Sequence, residues 1–121
     1  MANQKTKVSK GGLVYKGVTY PLIFNLNTME EIQEEYGTVD KWGELTDRSN
    51  GNEVNAKALK FGITVMLNEG VDMYNDEHDE KRQFFTEKQV GRIIMELGED
   101  AVSKQMNKAV IEASKSDEKN A

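Results

Sequence analysis

The chain contains no cysteine, so disulfides, thiolate metal ligands and a thiol nucleophile are all excluded. A secreted domain this small often depends on such staples, so a reducing compartment is expected. No stretch approaches the roughly 18 apolar residues of a membrane span. Residues 1–12 carry lysines with no apolar stretch behind them, which predicts no secretory signal. Aromatics are scarce at 7%, and there is one histidine and one proline. Cations are in deficit: 16 basic against 21 acidic side chains give a net charge of −5. Lys5, Lys7 and Lys10 fall in the first twelve residues, so the remainder carries −8. Such a body repels phosphate backbones, and no nucleic-acid partner is expected.

The 121 residues suffice for one modest core. Residues 1–12 and 114–121 lack apolar periodicity and are expected to be a disordered basic arm and a disordered tail around a single domain at 13–113. Leu13-Val14-Tyr15 and Val18-Thr19-Tyr20 flank Lys16-Gly17, the pattern of a hairpin with a two-residue turn. Leu22, Phe24 and Leu26 then alternate. Thr28-Met-Glu-Glu31 reads as a capping box, Met29, Ile32 and Tyr36 as the buried stripe behind it, and Gly37 as the stop. Thr38 opens a short helix with Val39, Trp42 and Leu45 on one side, and 47–52 is a loop.

Residues 53–69 form the most apolar segment and predict a buried helix ended by Gly70. The acidic run 71–82 reads as a loop. Thr86-Glu-Lys-Gln89 is a second capping box, with Phe85 and Val90 placed as a hydrophobic staple. Val90, Ile93, Ile94 and Leu97 keep helical spacing up to Gly98, and a last helix of about 15 residues starts at Glu99. The expected fold is α+β, mostly α: an N-terminal β-hairpin packed on a small bundle of four to five helices.

Catalytic patterns do not assemble. His78 lies in Asp76-Glu-His-Asp-Glu80 without a second histidine or a nucleophile motif, and the run reads as a solvated loop. Residues 47–53 are oxygen-rich, but Gly51 falls one position early for a calcium loop and Ala58 stands where its glutamate belongs. The glycines at 11, 12 and 17 precede or interrupt a hairpin, not a helix, so they cradle no phosphate. No enzyme activity, metal or cofactor is expected. What remains is Trp42, Met73, Tyr74, Phe84 and Phe85. From these, Trp42, Met73, Tyr74 and Phe85 are taken as candidate partner contacts, because aromatics and methionine are enriched at protein interfaces.

Two segments carry a family resemblance. Tyr20-Pro-Leu-Ile-Phe-Asn-Leu-Asn-Thr28 running into Met29-Glu-Glu-Ile-Gln-Glu-Glu-Tyr-Gly-Thr38 resembles the start of phage tail assembly chaperones. Phe85-Thr-Glu-Lys-Gln-Val-Gly-Arg-Ile-Ile94 is similar to a threonine-capped helix late in those proteins. The resemblance implies a helical chaperone that binds the tape measure protein and recruits tail tube subunits. It also implies a location in the cytoplasm of an infected or lysogenic bacterial host and absence from the mature virion. Membrane is not an expected partner, and self-association is left open. The rival reading is an acidic adaptor or regulator of a mobile element that sequesters a DNA-binding protein.

Overall fold

A computed structural model describes residues 11–47, 51, 53–79 and 81–120. Two strands, β1 (Gly12–Tyr15) and β2 (Val18–Pro21), form an antiparallel hairpin. Five helices follow: α1 (Leu26–Tyr36), α2 (Val39–Thr46), α3 (Ala56–His78), α4 (Glu87–Leu97) and α5 (Glu99–Asn120). The fold is thus mostly α with an N-terminal hairpin, as the periodicity predicts.

The hairpin closes where the turn chemistry places it. Leu13 pairs with Tyr20 and Tyr15 with Val18, while Lys16 and Gly17 both have positive φ, at 52° and 77°, as a type I′ turn requires. Two strands alone bury too little to persist in water, so the hairpin is pinned on both sides. The Ile23 N–H donates to Met66 O of α3 at 3.3 Å, and the Gly12 N–H donates to Gln105 Oε1 of α5 at 3.2 Å.

The centre of the molecule is α3. Ala58, Leu59, Ile63, Met66 and Leu67 join Ile32, Trp42, Val90, Ile94, Val102 and Met106 in one buried cluster. A helix apolar nearly all round is stable only when neighbours surround it, and α1, α2, α4 and the hairpin do so. Close approach is written into two glycines of α3. A Cβ at position 62 would overlap Trp42 Cζ2, and one at position 70 would stand 3.1 Å from Pro21 O.

Three boundaries differ from the expectation. The first helix is capped by Asn25, not Thr28: Asn25 Oδ1 accepts from the Thr28 N–H at 3.1 Å, and Thr28 Oγ1 accepts from the Asn25 N–H at 2.7 Å. The threonine occupies the reciprocal position of the box, which frees it to be fully buried, and Leu26 is a helical residue, 77% exposed. Next, α3 does not stop at Gly70 but runs to His78, with Asp79 as a left-handed cap at φ 53°. Gly70 is there because Pro21 presses on the helix. Past it, Val71, Tyr74 and His78 continue one helical face while Asp72, Asp76 and Glu77 face water. Finally, α5 extends to Asn120, so residues 114–120 continue a helix in place of the expected disordered tail. The basic arm through residue 10 lies outside the described residues, as do 48–50 and 52 of the loop weighed as a calcium site.

Candidate functional site

Between α3 and α4 the chain crosses from 81 to 86 without helix or strand, and two asparagines of α3 hold it there. The Asn68 amide accepts from the Phe85 N–H at 2.8 Å and donates to Phe85 O at 2.9 Å. Seven residues, or two helical turns, further on, the Asn75 amide accepts from the Arg82 N–H at 2.9 Å and donates to Arg82 O at 3.0 Å. Each asparagine thus stands in for a neighbouring strand. Fixing the backbone at 82 and 85 also restricts where Phe84 and Phe85 point.

They differ in burial. Phe85 turns inward, half-buried against the core, its ring 5.2 Å from that of Tyr20 in an edge-to-face arrangement at 87°. Phe84 turns outward and is 54% exposed. It forms one lip of a groove of about 410 Å³. The floor is a stripe of α3 (Phe61, Val65, Asn68 and Asp72) whose spacing places these side chains along one helical face. Phe61 is only half-buried there, its ring 5.7 Å from that of Tyr36.

The groove is acidic. Glu31 of α1, Glu69 and Asp72 of α3 and Glu87 of α4 all line it, and among the described residues no basic side chain does. Glu69 Oε2 accepts from Asn25 Nδ2 at 2.8 Å and from Asn27 Nδ2 at 3.1 Å. The Glu31 carboxyl is pushed above the ordinary carboxylate value, first by burial and then by Glu34, Glu69 and Glu30.

The residues singled out from sequence separate. Trp42 is 2% exposed, and its Nε1–H donates to Ala58 O at 3.0 Å, so it belongs to the core and is removed from the contact surface. Phe85 is a packing residue with one edge showing. Tyr74 is half-buried. The His78 ring stacks on it at 3.9 Å, and the Arg82 guanidinium lies 3.6 Å from its ring centre. Met73 is 39% exposed. Phe84 is the exposed ring of the strap. The staple position of Phe85, directly before the Thr86 cap, is the sequence signal that assigns that ring inward and leaves Phe84 as the displayed one.

His78 lies at the end of α3, not in a loop, and its Nδ1–H donates to Tyr74 O at 3.0 Å. Among the described residues no three histidine, aspartate or glutamate side chains are grouped to hold a metal ion, and no helix is long and apolar enough to cross a membrane. A second groove, of about 380 Å³ and mainly apolar, lies between β1 and the α4–α5 junction, walled by Leu13, Val14, Leu97 and Val102. No protein-family model, curated protein or solved structure matches the chain.

Proposed function

We propose that this protein is a phage tail assembly chaperone that shields helices of the tape measure protein in the host cytoplasm and helps recruit tail tube subunits. The reading rests first on the resemblance carried by residues 20–38 and 85–94. The observation that supports it best is Phe84, a large apolar side chain displayed to solvent on a segment clamped at two points by Asn68 and Asn75. A preorganised apolar anchor loses little entropy on binding, which is how a small surface gains affinity. A chaperone for amphipathic helices needs such an anchor beside enough charge to keep the complex soluble. The candidate contacts thereby become Phe84 and Met73, with Tyr74 held back by His78 and Arg82.

The acidic lining favours the rival, a regulator that captures a basic DNA-binding protein through charge. The two separate by salt, since exposed charge pairs are screened and apolar burial is not. Co-expression with a fragment of the tape measure protein encoded beside this chain is the direct experiment. Wild-type protein should keep the fragment in the supernatant at low and high salt, and Phe84→Ala/Met73→Ala should leave it in the pellet. A fragment that precipitates with wild-type protein, with tube protein also present, would remove the chaperone assignment.

A further inference from the structure

Resting on the helix-binding reading above, we propose that the groove beside Phe84 takes a cationic amphipathic helix of the partner, seating one apolar side chain between Phe61 and Phe84 and meeting lysine or arginine with Glu31, Glu69, Asp72 and Glu87. The four carboxylates come from three helices and converge on one concavity, whose lining holds no cation among the described residues. Among the described residues none of the four makes an ion pair, and only Glu69 is engaged, by Asn25 and Asn27. Like charges lining a cleft with low-dielectric walls focus the field and concentrate a counter-charge there. The Glu31 carboxyl is displaced upward first by burial and then by Glu34, Glu69 and Glu30, of which Glu69 shares the groove.

Charge alone would accept any cation. The aromatic lip narrows the choice, because Phe84 and the half-buried Phe61 offer an apolar slot between the carboxylates. A ligand satisfying both must alternate apolar and basic positions on one face. The stripe from Phe61 to Asp72 covers three turns of α3, about 16 Å at 1.5 Å per residue, which suits a helix of similar length laid along it. A second copy of this chain fits poorly, since its groove and body are acidic as well.

The test uses a synthetic amphipathic peptide of about 18 residues, five helical turns, with a leucine and phenylalanine stripe flanked by lysines, and a twin with every lysine replaced by glutamate. Fluorescence anisotropy with the full-length protein should show the lysine peptide binding at least about tenfold more tightly than its twin. Phe84→Ala should weaken it by about tenfold or more, as truncation of a central anchor does. Because Glu31 and Glu87 are exposed, Glu31→Lys/Glu87→Lys should fold normally, and by setting two cations beside the remaining two carboxylates it should abolish the preference between the peptides. Equal binding of the twins by wild type, or an unaltered preference in the charge-reversed protein, would overturn the proposal. So would a gain of about tenfold in wild-type affinity on changing Lys5, Lys7 and Lys10 to glutamine, since the arm of this chain would then be the occupant. If the tape measure fragment stays soluble although the peptides do not discriminate, the groove assignment fails and the chaperone reading stands. If the fragment precipitates although the peptides discriminate, the chaperone reading fails and the cation-selective groove stands.

Discussion

Gly62→Ala puts the packing of α2 on α3 to a strict test. In an exposed helix this change would stabilise by about 1 kcal/mol, because alanine has the higher helix propensity. Here the new methyl would overlap Trp42 Cζ2 and stand 2.9 Å from both Cε2 and Nε1, well inside normal contact distance. The indole cannot swing aside freely, since it is 2% exposed and its Nε1–H is committed to Ala58 O. Overpacking a well-filled core costs about 1–3 kcal/mol, and a further 1–3 kcal/mol follows if the indole moves and leaves a buried N–H unpaired. After the propensity gain is subtracted, the net loss is about 1–5 kcal/mol. For a domain of this size that lowers Tm by roughly 4–20 °C. Thermal unfolding by circular dichroism gives the number, and emission from the only tryptophan should shift to the red if the ring is displaced. A Tm equal to or above wild type would refute the packing of Trp42 on Gly62.

Two further outcomes follow from the strap and the acidic groove. Asn68→Ala orphans the part-buried N–H and C=O of Phe85 and should cost about 1–3 kcal/mol in denaturant unfolding. Asn75→Ala, whose bonds to Arg82 are exposed, should cost no more than about 0.5–1 kcal/mol, so equal losses would contradict the clamp geometry. Glu31 carries a folded-state pKa above its unfolded value, so the folded state holds its proton longer. Its ionisation therefore lowers stability as pH rises through that window, and protonation restores it as pH falls. Glu31→Gln should raise Tm slightly near pH 7, by an amount within the about 0.5 kcal/mol usual for surface changes. That advantage should vanish below the ordinary carboxylate range, and one that grows on acidification would contradict the sign.

Where local chemistry decides, the sequence was a good guide. The Lys16-Gly17 turn, the Thr38 and Thr86 caps and the Gly37 and Gly98 stops each depend on a few adjacent residues and are found where the pattern puts them. The errors arose where a distant partner decides. Gly70 reads as a terminator unless one knows that Pro21 lies against it, and the acidic run after it reads as a loop unless Val71, Tyr74 and His78 are seen to share a face. Thr28 reads as a cap because threonine suits that position, but the cap is Asn25, and Thr28 fills the reciprocal position of the box with its side chain buried. The site was the least legible part. The strap that displays Phe84 is held by the hydrogen bonds of Asn68 and Asn75, which join positions 17 and 7 residues apart, and Trp42 is buried by its contact with Gly62, 20 residues on; neither leaves a periodic trace.

The central claim is that the partner helix lies on the Phe84 groove. Hydrogen–deuterium exchange of the complex with the tape measure fragment tests it most directly, because it reads the footprint on the wild-type chain without any substitution. The account predicts that binding slows exchange along 81–87 and in the turns of α3 from 61 to 72. It also predicts that residues 12–14 and 97–105, around the second groove, keep their free-protein rates. Slowing confined to 12–14 and 97–105, with 81–87 unchanged, would contradict it and place the partner on the apolar groove between β1 and the α4–α5 junction.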